Sequence, residues 1–217
     1  MALRACLATL MALESFTACD TEIPGEPDAA EATGTGMLTV SVVGPNSADQ
    51  RVEAAREAVR FWNVVFADLG LRRPFDTVAF LQQEIPEDLL AAYSRSVLEG
   101  EAAPAEPNAF TRVAADVVIA LSDSAIISFA ASLDGSGHWL VGIRTDLIPP
   151  LSLPNVPRNL VAHELGHVLG LGHNSDPTKL MCGRPAPCRP AAFQSSEPRF
   201  FELTEAERAR LRELYGY

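Results

Sequence analysis

Three of the chain's four histidines fall within eleven residues, HELGHVLGLGH, from His163 to His173. The stretch around them, VAHELGHVLGLG, is otherwise almost wholly apolar. Residues four apart on an α-helix share one face, offset by roughly 40°. His163 and His167 can therefore aim two imidazoles at one point, with Glu164 on the adjacent face. Gly170 comes three residues after His167. Glycine tolerates the positive φ that ends a helix and turns the chain sharply. The short Leu171-Gly172 link then carries His173 back toward the first pair. A fold that accommodates this segment needs a largely buried helix, an abrupt reversal at its C-terminus and a loop doubled back against it.

Three ring nitrogens converging from one side leave a tetrahedral Zn²⁺ with a vacant fourth position, the layout of a catalytic site rather than a closed structural one. Neutral imidazoles suit zinc. Zinc lowers the pKa of its bound water toward ~7 and polarises a carbonyl oxygen. Glu164 is placed to act as general base toward that water and to pass the proton to a leaving amine. The bland alternative, a helix with surface histidines, fits poorly with so apolar a surrounding and so few histidines elsewhere.

Strand and helix periods alternate along the rest of the chain. MLTVSVV (Met37 to Val43) is β-branched and partly alternating, and predicts a strand. In the segment that follows, Val52, Ala55, Val59, Trp62, Phe66 and Leu69 recur at three and four, giving one apolar helix face. Ser47 and Gln50 suit a capping box at its start and Gly70 suits its C-terminal exit. Asp76 to Gln82 reads as a second strand, Pro86 opens a short helix through Leu98, and residues 100–111 read as a loop. Ala115 to Leu121, Ala125 to Ala131 (AIISFAA) and His138 to Arg144 predict three further strands. Prolines between 149 and 157 then break the chain ahead of the histidine helix. LTEAERARLRELYG predicts a terminal helix with Thr204 as N-cap, Glu207 three residues on, and Leu211 and Leu214 facing inward. This order predicts an α+β fold, an α/β sandwich on a mixed twisted sheet with an active-site helix and a C-terminal helix.

A chain of 217 residues, 47% hydrophobic, is long enough for one domain with a proper core. Its net charge of −11 argues against a nucleic-acid partner, which needs a basic face. Residues 1–19 read as a signal peptide: Arg4, then the apolar run Ala5 to Leu13, then small residues before Cys19. FTAC resembles a bacterial lipobox, although Phe16 and Glu14 depart from the usual pattern. A lipoprotein signal with Cys19 lipidated, an ordinary cleaved secretory signal and a mis-assigned start all remain open. Residues 20–36, acidic and rich in Pro, Gly and small side chains, read as a flexible linker. The catalytic domain is then expected over 37–217. Cys182 and Cys188 are close enough to close a small disulfide loop outside the cytoplasm; two buried thiols or a second metal site are the alternatives.

HELGHVLGLGH fits HExxHxxGxxH, and the chain here resembles the metzincin metallopeptidases. The short spacing to Met181 in HNSDPTKLM is most similar to the matrixins, as is the terminal helical segment. The likeness is strongest over 158–183 and 203–216. It implies that His163, His167 and His173 are zinc ligands, Glu164 the base, and Met181 a floor beneath the site. It implies also that a protein or peptide substrate binds in extended form along an edge strand, for which AIISFAA is the candidate. The residues after Met181 would wall the specificity pocket, stiffened by prolines and a Cys182–Cys188 bridge; Arg184 and Arg189 read as solvated loop charges. Asn174 stands where matrixins usually have serine, and Cys182-Gly183 where they have Tyr-Pro. Only His138 lies upstream, so one zinc is expected, with His138 a strand residue near the cleft. Structural calcium has no supporting DxDxDG-like loop.

The expectation is a zinc-dependent endopeptidase, monomeric, and secreted or held at a bacterial cell envelope, with membrane attachment through lipid on Cys19 as the stronger form. Two other readings compete with it. One is a catalytically inactive zinc-binding surface protein that captures a partner in its cleft, against which Glu164 counts. The other is a zincin with an acidic third ligand, against which His173 and Met181 count.

Overall fold

A computed structural model describes residues 36–100, 104, 108–133, 137–145, 152–153, 155–183 and 199–216. The leader with Cys19, nearly all of the linker, Arg184, Cys188 and Arg189 lie outside the described residues. Among the described residues, no helix is long and apolar enough to cross a membrane.

Five strands form one sheet: β1 (Leu38–Gly44), β2 (Phe75–Gln82), β3 (Val117–Leu121), β4 (Phe129–Ser132) and β5 (Trp139–Ile143), in the order β2-β1-β3-β5-β4. The first four neighbours run parallel, and β4 closes one edge antiparallel to β5. The sheet is mixed, as the order of elements predicts. β3 and β5 are buried along their whole length, which explains why they read as unbroken apolar runs rather than alternating ones.

Both faces are covered, and the strand period decides which residue goes where. Val40, Val42, Val117, Ile119, Val141 and Ile143 point to one side. There they pack against α1 (Gln50–Asp68) and α4 (Asn155–Val168). Val43, Val118, Ala120 and Leu140 point to the other side. Leu90 and Tyr93 of α2 (Glu87–Glu99) cover them, together with Phe110. Phe110 belongs to α3 (Asn108–Thr111), a single turn within the segment read from sequence as loop. Its ring is fully buried and anchors this turn to the second face of the sheet.

Two more expectations need correction. The N-cap of α1 is Asp49, whose carboxylate accepts from Arg51 N at 2.8 Å, so the Ser47/Gln50 capping box does not form. Asp49 also receives the Arg51 guanidinium at 2.6 Å, and that buried cation fixes the helix start. β4 is shorter than AIISFAA, beginning at Phe129. Before it, the backbone of Ile127 is paired with a side chain instead of a strand: Ser94 Oγ donates to Ile127 O and accepts from Ile127 N. α1 ends as expected, with Gly70 at φ 73°, Gly70 N bonded to Ala67 O and Leu71 N to Phe66 O. That pair of bonds is the Schellman arrangement. α5 (Glu205–Tyr215) carries the predicted capping box between Thr204 and Glu207; Leu211 is buried, and Leu214 is half-buried.

Candidate metal centre and active site

α4 packs against α1 and against β4 and β5 on the same face of the sheet. Trp62 on α1 is fully buried, and its indole N–H donates to Ala162 O at 2.9 Å, one residue before His163. Arg158 pairs with Glu57 of α1 at 2.9 Å nearby. These contacts fix the helix that presents His163 and His167.

The chain reverses directly after that helix. Gly170 has φ 80°; Gly170 N bonds to His167 O at 2.9 Å and Leu171 N to Gly166 O at 3.0 Å. This second Schellman turn sends the backbone back under the helix, and His173 returns to its partners. The three Nε2 atoms are 3.2, 3.2 and 3.1 Å apart. Among the described residues these three histidines form the group able to hold a metal ion; His138 is not part of it. His138 instead sits ahead of β5 beside Asp116, whose carboxyl is held below its ordinary value, burial notwithstanding, by Thr39 donors and by His138.

The donor set fits a divalent cation. His163 Nδ1 lies 2.8 Å from Leu180 O, and His167 Nδ1 lies 2.8 Å from Leu171 O. A carbonyl only accepts, so each Nδ1 carries its proton and each Nε2 is a bare lone pair in the neutral ring. Two lone pairs 3.2 Å apart repel unless a cation lies between them. Nitrogens on a tetrahedral zinc at about 2.0–2.1 Å would be roughly 3.3–3.4 Å apart, close to the spacing seen here. Burial, and then the other two histidines, hold His167 well below its ordinary pKa, so it stays neutral. Going from His163 to His167 to His173, the rings are half-buried, buried and exposed. The cluster is therefore closed on the helix side and open to solvent on the His173 side.

Glu164 is 5% exposed. Burial alone pushes its carboxyl up to about 8, and no described residue donates to it. A carboxyl whose pKa is raised to near neutral can both release and regain a proton, as general acid–base work requires.

Met181 is fully buried. A Cβ placed on Gly166 would overlap its Sδ, and would sit 2.8 Å from its Cε. Met181 thus packs directly under the helix turn between His163 and His167. Gly183 plays a similar part at the third histidine: a Cβ there would enter the His173 ring. This accounts for the glycine at a position where matrixins have proline. Asn174 and Cys182 form an isolated bridge, with Asn174 N bonded to Met181 O at 2.8 Å and Gly183 N to Asn174 O at 3.0 Å. Cys182 is disulfide-bonded.

Sequence reasoning passed over Gly166, marked Gly183 only as a departure from the matrixin pattern, and missed Trp62 as a polar anchor and the backbone carbonyls of Leu171 and Leu180. A carbonyl leaves no trace in residue type, and a glycine in a helix signals only that something lies close. β4, the antiparallel edge, packs against α4, so the sheet edge borders the helix that carries the histidines.

Residues 115–216, a little under half of the chain, match the family model for matrixin. No curated protein matches the chain. Among solved structures, archaemetzincin from Methanopyrus kandleri is similar at 15% identity and a TM-score of 0.48, over 84% of this chain and 98% of that one. Metalloproteinase-II from Bacteroides fragilis is similar at 16% identity and a TM-score of 0.44 over 85% of this chain, which spans 55% of the Bacteroides chain. The family match takes in β3 to β5, α4 with its histidines, Met181 and α5, and leaves β1, α1, β2 and α2 outside. Over residues 115–216 this chain is thus similar to the matrixin family.

Proposed function

We propose that the chain is a zinc-dependent endopeptidase in which His163, His167 and His173 hold one catalytic zinc and Glu164 is the general base. The observation that carries this reading is the convergence of three Nε2 atoms to 3.1–3.2 Å, with the buried carboxyl of Glu164 next in sequence to the first of them. A purely structural zinc has no use for such a base, which weighs against the inactive partner-capturing alternative.

Zinc, when bound, supplies a Lewis acid that polarises the scissile carbonyl and acidifies water. The protein residues do the rest. His163 and His167 are held to one tautomer by carbonyl acceptors, so their Nε2 atoms stay available. Glu164 takes a proton from the attacking water and delivers it to the departing amine nitrogen. β4, the outermost strand of the sheet among the described residues, would offer backbone groups to a peptide in extended form. A bridge from Cys182 to Cys188 would stiffen the wall beyond Met181. Secretion, with lipid on Cys19 holding the domain at a bacterial membrane, completes the proposal.

Cleavage of a peptide library by the purified protein, with and without a zinc chelator, tests it. Metal-dependent cleavage within peptides is expected. Stoichiometric zinc with no cleavage of any library member would favour the capture reading instead.

A further inference from the structure

The three histidines come from two different segments. Two sit on α4, pinned by Trp62 and by tautomer-setting carbonyls. His173 sits beyond the helix, in a loop, and is the exposed member of the group. The next residue, Asn174, ties that loop to the segments around it. Its backbone bonds to Met181 O and Gly183 N on the turn below. Its side chain reaches both ways: Oδ1 accepts from Asp176 N at 2.8 Å, and Nδ2 donates to Glu207 Oε1 at 2.6 Å.

Glu207 is 7% exposed, on the first turn of α5, 33 residues along the chain. Its other oxygen accepts from Thr204 N at 2.7 Å, closing the capping box. One buried carboxylate thereby joins the start of the terminal helix to the loop that carries the third histidine. A capping box needs only one of the two oxygens, so the second is committed to Asn174.

We infer that Asn174 and Glu207 form a positioning pair, through which α5 sets the place of His173 in the metal centre. The inference rests on the reading of His173 as a zinc ligand and adds to it the terminal helix as part of the support. Partners that orient a metal ligand typically change affinity by roughly 10–100-fold when removed.

The chemistry of the pair permits an exchange test. In Asn174→Asp, two carboxylates face each other. In Glu207→Gln, the amide can serve Thr204 N or Asn174 Nδ2 with its single acceptor oxygen, not both. In the double variant Asn174→Asp/Glu207→Gln, the new amide at position 207 accepts from Thr204 N and donates to the new carboxylate at position 174. That carboxylate's other oxygen still accepts from Asp176 N. All three bonds return, one with its direction reversed.

Zinc affinity is measured by chelator competition on the full chain and its three variants. The visible absorption of the cobalt(II)-substituted proteins is recorded alongside, since it reports ligand geometry. Thermal melts of the metal-free proteins identify loss of fold. The expected result is a loss of tenfold or more in affinity and an altered cobalt spectrum in each single variant. The double variant should come back to within about threefold of the parent, with the parental spectrum. Single variants within threefold of the parent would overturn the inference, as would a double variant that recovers less than half of the logarithmic loss. Single variants that only melt lower, with affinity and spectrum unchanged, would overturn it too, leaving the pair a structural brace. Failure of the parent itself to bind zinc would instead overturn the proposed function.

Discussion

The contact between Gly166 and Met181 makes a prediction whose sign can be worked out. In a helix interior, Gly→Ala is ordinarily stabilising by about 1 kcal/mol, because alanine has less backbone freedom to lose. Here the added methyl would overlap Met181 Sδ, lie 2.8 Å from its Cε and 3.2 Å from Trp62 Cζ2. A methionine is flexible and would yield readily on a surface. Met181 and Trp62 are both fully buried, so neither has empty space to move into, and such overpacking costs about 1–3 kcal/mol. Gly166→Ala should therefore be net destabilising by about 1 kcal/mol. Met181→Val removes both the sulfur and the terminal methyl, and in that background Gly166→Ala should turn neutral or stabilising. Urea denaturation of the four chelator-treated proteins measures the cycle and keeps metal linkage out of the numbers. The expected coupling is about 2 kcal/mol, within the range for residues in contact. A coupling below about 0.5 kcal/mol, or a Gly166→Ala variant more stable than the parent, would refute the packing of Met181 beneath the ligand turn.

Glu164→Gln should lower kcat for peptide hydrolysis by about 10²–10⁴-fold with zinc still bound at one per chain; full activity would remove Glu164 as the base. The metal-free protein should lose stability as pH rises from about 6.5 to about 8. The Glu164 carboxyl, pushed up to about 8 from an ordinary 4.5, keeps in the fold a proton that the unfolded chain has released. Below about 6.5 the buried neutral His167 works the other way, since the unfolded chain takes up a proton that the fold excludes. The fall above 6.5 should be about 1–2 kcal/mol and should vanish in Glu164→Gln; a flat profile in the parent would contradict the burial argument. Cys19→Ser should move the protein from the membrane to the soluble fraction of expressing cells; an unchanged distribution would end the lipobox reading.

Much of this architecture was legible because it rests on local period. The α1 stripe from Val52 to Phe66 is buried as its spacing of three and four demands. The unbroken apolar runs of β3 and β5 mark strands covered on both faces. The four-residue spacing of His163 and His167, with Gly170 to reverse the chain, carries the site by itself. What stayed hidden depends on partners distant in sequence. Ser94 takes the backbone of Ile127 and shortens β4. Asp49 outcompetes Ser47 as a cap because a buried Arg51 holds it. Asn174 stood out only as a departure from the matrixin pattern, and Glu207 only as a capping residue; their bond joins two segments that no periodic pattern relates. Even the α2–α3 layer on the second face followed from Leu90, Tyr93 and Phe110 only once the sheet order was known.

X-ray absorption at the zinc edge of the purified protein tests the centre most directly. Three nitrogen neighbours and one oxygen at about 2.0–2.1 Å are expected, with the imidazole scattering reduced by one third in His173→Ala. A shell containing sulfur, a shell filled by four protein ligands, or a spectrum indifferent to His173 would contradict a three-histidine site with one position left for solvent.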